Sequence, residues 1–228
     1  MTLHELKPVK RRSTVEHIAD ELRQAIMSGS LEPGDQLGEA DLAEHFAVSR
    51  GPLREAMQRL VSEGVLHAIA NRGVFVSELT LDDVRDVYRT RSVIERGAVE
   101  ISLRARREEL HEAVSAAVDQ MRRAAERGDG PAVSDADQAF HEALVECSGS
   151  PRLIRAMRTL LVETRMCLGE LRTTYPDLDT QVHEHEALAE AFRTQTPAKA
   201  KALLLAHLDD AVDRLVTKRT DTPDTASP

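Results

Sequence analysis

The chain has 228 residues, of which 41% are hydrophobic, so it can build one large domain or two small ones. No apolar run approaches the roughly 20 residues that a membrane span needs, and the N-terminal MTLHELKPVKRRS lacks the apolar stretch of a signal peptide. We therefore expect a cytoplasmic protein with no membrane partner. The net charge of −9 excludes a chain that binds nucleic acid over its whole surface, because phosphate binding needs clustered Lys and Arg. Any such contact must come from a local basic surface.

The N-terminal third has the pattern of a winged helix-turn-helix. Apolar residues recur at helical spacing over 15–27, and SGSLEPGD then ends the pattern. A short second helix is predicted over 39–46 and a third over 50–64, with Ser49 placed to cap the third. β-favouring residues on both sides of AsnArgGly at 71–73 predict a two-stranded hairpin, the wing.

Two arginines, Arg50 and Arg54, lie four positions apart near the start of the third predicted helix. They should point outward together, at the part of a helix-turn-helix that meets base edges in the major groove. Taken alone, such a pair is also typical of a solvated helix face. The adjoining turn and hairpin favour a DNA reader, whose wing tip at 71–73 can reach the adjacent minor groove or backbone.

Six long helical patterns follow from Thr80 to about Lys218, with no convincing strand among them. The predicted fold class is mainly α, with an N-terminal winged helix-turn-helix followed by an all-α helical bundle. We assign residues 1–13 to an N-terminal arm, 14–77 to the DNA-binding domain and 78–218 to a helical effector, metal-binding and dimerisation domain. Residues 219–228 are polar and proline-bearing, which predicts a disordered tail.

Three of these helical patterns place histidines among apolar residues. Asp137 and His141 lie four apart in DQAFH, and His185 and His207 follow on later helices. A single buried histidine is more often a hydrogen-bonded core residue, and an Asp–His pair at this spacing is commonly a local salt bridge. Together, however, one carboxylate and three imidazoles suit a divalent ion such as Zn²⁺, Ni²⁺ or Mn²⁺ and leave coordination positions open.

The segments LEPGDQL, DLAEHFAVSRGPLREAMQRLVSEGVL and NRGVFV closely resemble the N-terminal domain of the GntR family of bacterial transcription regulators. That resemblance covers residues 14–77 and implies a set of contacts with double-stranded operator DNA. The implied contact residues are Ser49, Arg50, Gly51, Arg54, Arg72 and Gly73.

Residues 81–215 are similar to FCD, the helical effector domain of the FadR-like branch of that family. The family's AspXXPheHis, GluHis and AlaHisLeu motifs stand here at 137–141, 184–185 and 206–208. The metal ligands implied by the resemblance are Asp137, His141, His185 and His207. Arg91 matches an arginine that the family keeps, which implies contact with a carboxylate effector. An ion pair with Glu95, one turn on, is equally compatible with its position.

These features predict a ligand-responsive transcription regulator, with repression as the expected direction, that binds a palindromic operator as a homodimer. A small carboxylate would bind the metal and Arg91 and change the operator affinity. We expect Zn²⁺ to be the ion retained on purification. Two alternatives stay open. The ligand set also suits a metal-dependent enzyme, although no nucleophile motif accompanies it. We expect no enzymatic activity. The histidines also suit a helical scaffold with an empty site.

Overall fold

The computed structural model describes residues 13–168, 175 and 177–221, with side chains up to residue 218. The chain divides into two compact units, Met1–Ser77 and Glu78–Pro228. Residues 1–12 of the predicted arm and 222–228 of the predicted tail lie outside the described residues. The predicted fold class, a winged helix-turn-helix followed by an all-helical bundle, is confirmed.

The first unit, in the part that is described, combines three helices with a small sheet. Its elements are α1 (Thr14–Ser28), β1 (Gln36–Leu37), α2 (Glu39–His45), α3 (Arg50–Ser62), β2 (Leu66–Ile69) and β3 (Gly73–Val76). The strands are antiparallel in the order β1-β3-β2, with Gln36 opposite Phe75 and Leu66 opposite Val76. The predicted two-stranded hairpin is present as β2 and β3, and β1 adds a third strand that was not predicted. The strand β1 has only two residues, which is too short to show a period in the sequence.

α1 and α3 pack against each other and thereby fix which side of α3 faces outward. α1 begins with a capping box, in which Ser13 Oγ accepts from the Glu16 N–H at 3.1 Å and the Glu16 carboxylate accepts from the Ser13 N–H at 3.2 Å. The buried Arg23 of α1 donates from Nη2 to Glu63 Oε2, at the end of α3, over 2.5 Å. The apolar residues buried on the two helices include Ile18, Leu22, Ile26, Leu53, Met57 and Leu60.

The second unit is a bundle whose described elements are all helices. They are α4 (Leu81–Ala105), α5 (Arg107–Glu126), α6 (Gly130–Glu146), α7 (Pro151–Leu168), α8 (Leu178–Thr194) and α9 (Pro197–Asp221). α4 packs against α6, α7 and α9, while α5 packs against α6 and α8. α9 starts at Pro197 and runs three residues past the predicted domain end at 218. Among the helices that the structure describes, none is long and apolar enough to cross a membrane.

The interior of the bundle combines an apolar core with a cluster of buried polar side chains. Phe140 and Phe192 are stacked with ring centroids 6.3 Å apart, at the centre of a core of Val, Leu and Met residues. The buried polar side chains include Arg91, Glu95, Gln138, His141, Thr164, Arg165, Gln181, His185 and His207. Burying a polar group lowers stability unless the group forms a hydrogen bond or an ion pair. The partners of these side chains therefore indicate the role of this part of the bundle.

The left-handed backbone conformation of Gly64, at the end of α3, can be tested by substitution. Gly64 follows the helix with a φ of 80°, and the next N–H, of Val65, bonds to the Leu60 carbonyl at 3.1 Å. We expect Gly64→Ala to lower the free energy of unfolding by about 1 kcal/mol, because the left-handed conformation is unfavourable for a residue with a Cβ. Urea denaturation followed by circular dichroism measures this change.

Gly51→Ala is the matched control, because Gly51 is helical and a Cβ there would meet no atom within 4 Å. An equal loss of stability in both variants would contradict the importance of the backbone conformation at Gly64.

Candidate DNA-reading and metal-binding sites

The residues of α3 that are predicted to contact DNA lie together on the exposed side of its first turns. Ser49, Arg50, Gly51 and Arg54 are exposed, whereas Leu53 between them is buried. Ser49 occupies the N-cap position, but its side chain makes no capping hydrogen bond, so the predicted capping role is wrong. The open space around Gly51 allows another molecule to approach the backbone closely at this helix N-terminus.

Arg54 is held in place by the preceding helix. Its Nε donates to Glu39 Oε2 of α2 at 2.7 Å, while the arginine side chain remains 63% exposed. Because this bond uses Nε, the two Nη groups stay available for a paired hydrogen bond of the kind that recognises guanine. Arg50 is exposed and forms no ion pair with any described residue. The two side chains therefore differ in how firmly the protein orients them.

The wing tip is a tight turn between β2 and β3. Asn71 and Gly73 have positive φ values of 61° and 112°. Gln36 Nε2 donates to the Arg72 carbonyl at 2.6 Å, and a Cβ on Gly73 would come within 3.1 Å of the same nitrogen. The backbone conformation of the turn therefore accounts for the glycine at position 73. The exposed side chain of Arg72 lies beside the ring of Phe75, with its Cζ 6.0 Å from the centroid.

Three histidines from three different helices meet inside the bundle. His141 of α6, His185 of α8 and His207 of α9 are all buried, and their ring centroids lie 4.8 to 5.8 Å apart. One ring nitrogen of each lies within 4.8 Å of those of the other two. Such a spacing of nitrogen atoms is compatible with a shared divalent ion.

The outer nitrogen of each ring has a hydrogen-bond partner. His141 Nδ1 lies 2.7 Å from Glu95 Oε2, His185 Nδ1 lies 2.8 Å from the Gln181 carbonyl, and His207 Nδ1 lies 3.3 Å from Glu184 Oε2. Each contact assigns the ring proton to Nδ1, because all three partners are acceptors. The Nε2 atoms are then the free lone pairs that a metal would use, and carboxylate or carbonyl partners of this kind orient histidine ligands.

The contact between His185 and Asp137 requires a positive charge. A carbonyl oxygen only accepts, so His185 Nδ1 must donate to Gln181 and Nε2 is left with its lone pair. That Nε2 lies 3.0 Å from Asp137 Oδ1, yet it is buried and makes no hydrogen bond. Two acceptors at this distance repel each other unless a positive charge lies with them, either a second ring proton or a metal ion.

The protonation states in the cluster suit metal coordination. Burial lowers the pKa of His207 to about 4, so its ring is neutral at neutral pH. Burial alone would raise the pKa of Glu95, but the neighbouring His141 and Arg91 outweigh it and bring the pKa down to about 2. The same balance, with His185 as the main opposing group, holds the pKa of Asp137 below its ordinary range. The carboxylates of Glu95 and Asp137 therefore stay charged at neutral pH.

Asp137 lies at the edge of this group. Its Oδ1 accepts from Gln181 Nε2 at 3.0 Å and faces His185. Among the described residues, the group whose ligand atoms all lie within 4.8 Å of one another consists of the three histidines and does not include Asp137. His183, two positions from His185, is exposed to solvent and takes no part. The structure thus brings three of the four predicted ligands into one cluster and places the fourth in contact with one of them.

Arg91 forms the ion pair that was considered for it and keeps an unused donor. The side chain is 2% exposed, and its Nε donates to Glu95 Oε1 at 2.9 Å. Its Nη1 lies 3.3 Å from Thr164 Oγ1, whereas Nη2 is buried without a hydrogen-bond partner. The ion pair with Glu95 is therefore present, and it still leaves one donor of the guanidinium group unused.

A small cavity connects Arg91 with the histidine cluster. Its volume is about 30 Å³, enough for about two water molecules. Its walls include Tyr88, Arg91, Asp137, His141, Thr164, Tyr175, Gln181 and His207. A buried donor and a possible metal position thus share one polar cavity.

The sequence pointed to the histidines but not to the side chains that orient them. Glu95 was identifiable only as an ion-pair partner of Arg91, and nothing in its spacing indicated His141, 46 positions away. Glu184 precedes His185 in the chain, yet its carboxylate contacts His207, Arg214 and the hydroxyl of Tyr175. Neither long-range contact follows from helical periodicity.

The two units match two described families. Residues 14–76 match the bacterial regulatory proteins of the gntR family, and residues 86–210 match the FCD domain. The chain is 30% identical to the gluconate operon transcriptional repressor of Bacillus licheniformis, with 96% of this chain and 90% of the repressor covered. It is also 30% identical to the transcriptional regulator LutR of Bacillus subtilis, with 83% and 95% covered. Both relatives are named as transcription regulators.

Solved structures agree with these matches. A GntR transcriptional regulator from Rhodococcus sp. RHA1 is 27% identical, with a TM-score of 0.74 over 90% of this chain and 99% of its own. E. coli McbR/YncC, at 21% identity, shares the fold with a TM-score of 0.80 over 92% and 100%. With the FCD match over more than half of its length and a 30% identical repressor aligned along most of it, the chain belongs to the GntR family of DNA-binding transcription regulators that carry an FCD domain.

Proposed function

We propose that the protein is a homodimeric repressor whose helical unit holds a divalent metal, and that a small carboxylate bound beside this metal releases the operator. The observation that carries the proposal is the cluster of His141, His185 and His207, beside a cavity that His141 and His207 line together with Arg91, whose buried Nη2 has no hydrogen-bond partner. The gluconate and D-xylose operon relatives of the chain are both named repressors, which supports repression as the direction.

The metal would be held by His141, His185 and His207, with Asp137 as the fourth protein ligand. Three imidazoles and one carboxylate suit Zn²⁺, Ni²⁺ or Mn²⁺, and Zn²⁺ is the ion expected after purification. When bound, such an ion supplies a Lewis acid that attracts an anionic oxygen. The protein holds the imidazole rings in the coordinating orientation through hydrogen bonds to their Nδ1 atoms.

Arg91 gives the site its preference for a carboxylate. Glu95 fixes the guanidinium plane, so the free Nη2 is already directed when the ligand arrives. A buried, charged donor beside a metal recognises a carboxylate more strongly than a neutral oxygen. Gluconate, after which the operon of one relative is named, is a carboxylate, but D-xylose, named for another, is not. Relatives therefore leave the identity of the effector open.

The size of the cavity supplies a reason for a conformational response. The cavity is small, at about 30 Å³. A larger carboxylate would bind with a movement of its walls, so the liganded and free conformations would differ. A ligand that binds one conformation better shifts the equilibrium toward it, and operator affinity changes if the two conformations bind DNA differently.

Operator recognition would rest on the exposed arginines of α3 and the wing. Arg50 and Arg54 would read base edges, with phosphate approaching Ser49 and Gly51, while Arg72 and Gly73 would contact the adjacent groove. We expect Arg50→Ala and Arg54→Ala each to weaken binding to the operator by about 1 to 3 kcal/mol, because each removes a base contact. Mobility-shift titrations, on an operator selected from genomic fragments, measure the change.

Arg193→Ala is the control for this experiment. Arg193 is an exposed arginine of α8 that pairs with Glu190 on its own helix, outside the DNA-binding unit. Unchanged binding by both α3 variants would show that α3 does not read the operator.

For the metal, we expect elemental analysis of protein purified without chelator and then offered Zn²⁺, Ni²⁺ or Mn²⁺ to give about one ion per chain. Chelation should lower the melting temperature, because the ion joins three helices and its binding energy stabilises the folded state. His185→Ala should hold no metal and melt at the same temperature with or without chelator. His183→Ala, on the exposed side of the same helix, is the matched control and should behave as the wild type.

If the wild type holds no stoichiometric metal and melts like His185→Ala, the metal-dependent mechanism is wrong. The Asp137–His185 contact would then be a buried ion pair.

Because Glu95 contacts both His141 and Arg91, we predict that metal binding and carboxylate binding are coupled. We expect Glu95→Gln to weaken metal binding by about 10- to 100-fold, as loss of an orienting carboxylate does. At saturating metal it should also weaken carboxylate binding, because Arg91 loses its anchor. Glu184→Gln removes the corresponding carboxylate from His207 and should weaken metal binding alone. Calorimetric titration with a panel of two- to six-carbon carboxylates, against their amides, measures both effects. Equal carboxylate affinities in the two variants would contradict the coupling through Glu95.

A further inference from the structure

A cleft lies between the last turns of α5 and the first turns of α6, apart from the histidine cluster. Its volume is about 350 Å³, whereas the cavity beside Arg91 has about 30 Å³. Clefts that bind small molecules commonly have about 300 to 1,000 Å³. The space is therefore large enough for a ligand of metabolite size.

Alanines account for this space. Ala124 of α5 and Ala132 and Ala136 of α6 line the cleft, so methyl groups stand where longer side chains would fill the gap between the two helices. Ala124 and Ala136 are buried and belong to a small core that also contains Met121 and Val133. The floor of the cleft is thus fixed by the packing of the bundle.

Two arginines without partners form one wall. Arg123 and Arg127 lie one turn apart on α5, both are exposed, and neither forms an ion pair with any described residue. The adjacent Arg122, which pairs with Asp119 and Glu186, does not line the cleft. The end of a helix attracts a cation, which accounts for positive charge near the end of α5 but not for the space beside it.

The acidic residue of the cleft is compensated within the chain. Asp135 of α6 lines the cleft and pairs with Nη2 of the buried Arg165. The Nη1 of the same guanidinium group donates to Ser134 Oγ at 2.8 Å. The wall formed by the two α5 arginines therefore keeps its positive charge, although the whole chain has a net charge of −9. Such a local positive charge favours an anionic ligand.

The donors of the cleft favour a phosphate monoester among the anions. One guanidinium group matches the two oxygens of a carboxylate, whereas two of them, one turn apart, suit the three oxygens of a phosphate monoester. The other polar side chains suit hydroxyl groups on the rest of the ligand. The amide of Gln120 can donate and accept, and Asp135 uses Oδ1 for Arg165, which leaves Oδ2 as an acceptor.

From the cleft, its unpaired arginines and its compensated carboxylate, we propose that the space between α5 and α6 is a second ligand site, which binds the phosphate monoester of a polyhydroxylated compound. No described residue lines both this cleft and the cavity beside Arg91. Arg165 connects the two, because it bonds to Asp135 in the wall of the cleft and to Ser134 in the wall of the cavity.

Calorimetric titration of the full chain tests the site, with glucose 6-phosphate and glycerol 3-phosphate against glucose, glycerol and inorganic phosphate. We expect a phosphate monoester to bind once per chain and more tightly than inorganic phosphate, and the parent alcohols not to bind. Arg123→Gln and Arg127→Gln should each weaken this binding by at least about tenfold, because each removes a charged donor. Arg152→Gln is the matched control, because Arg152 is an exposed arginine of α7 that forms no ion pair with any described residue.

Wild-type affinity in both α5 variants, or no binding of either phosphate monoester, would overturn the proposal. Monoesters that bind no more tightly than inorganic phosphate would overturn the class of ligand.

Asp135→Asn should change the affinity in the opposite direction. It removes a negative charge from the wall of the cleft, so the phosphate monoester should bind more tightly than to the wild type. Weaker binding by this variant would contradict the electrostatic basis of the site.

His185→Ala separates this site from the proposed metal. A phosphate held by the metal would be lost in that variant, whereas one held in the cleft should bind with wild-type affinity. Loss of the phosphate monoester in His185→Ala would overturn the second site. A wild type that binds the monoester but holds no metal would support the cleft and overturn the proposed metal-dependent function.

The connection through Arg165 rests on the proposed function and has its own measurement. At saturating phosphate monoester, the wild type should bind its carboxylate effector with a changed affinity, and the carboxylate should change the affinity for the monoester by the same factor. The same concentration of monoester should have no effect on Arg127→Gln. Equal carboxylate affinities with and without the monoester would overturn the connection and leave the second site standing.

Discussion

The carboxylate of Glu95 is the group on which the polar interior of the helical unit depends. It is 0% exposed, and removing an isolated charge from water to this extent costs several kcal/mol by general estimates. The protein offsets this cost with two partners, Arg91 on one oxygen and His141 on the other. A partner lost from such a buried pair leaves a charge without compensation, which costs more than the pair itself contributes. The three residues therefore hold one another in place.

The contact between Glu95 and His141 also determines which ring nitrogen of His141 is free to bind a metal. With Glu95 on Nδ1, the ring of His141 turns its Nε2 toward His185 and His207, whose own Nδ1 atoms are bound to Gln181 and Glu184. Three rings from three helices are oriented by three separate acceptors, so their inner lone pairs converge. Converging lone pairs beside the Asp137 carboxylate favour a cation at that point, and this electrostatic demand, more than the count of histidines, supports a metal.

Most of the fold could be predicted from the sequence, because its helices are long and their apolar residues recur with the helical period. The start of the first helix was predicted to within one residue from apolar periodicity, whereas the two-residue β1 had no period to read. Ser49 was placed correctly at a helix start, but its missing hydrogen bond depends on a side-chain rotamer, which sequence does not reveal.

The candidate site was predictable only in part, for a related reason. Asp137 and His141 lie one turn apart on a single helix, so local spacing was enough to associate them. The contacts of Glu95 with His141 and of Glu184 with His207 join helices whose packing order cannot be read from periodicity. His185 and His207 were grouped with the Asp137–His141 pair because they too are histidines among apolar residues, and the family resemblance then implied that all four are ligands.

α4 carries part of the candidate site and begins shortly after the DNA-binding unit in the chain. Its N-cap, Thr80, stands three residues after the last residue of the DNA-binding unit, Ser77. The inward side of the helix carries Arg91 and Glu95. A long helix transmits a displacement along its length with little bending, because its backbone hydrogen bonds lie along the axis. If a carboxylate moves Arg91, the same displacement would reach the start of α4 and the chain segment that leads to the DNA-binding unit. Ligand binding would thus act on operator binding through one element.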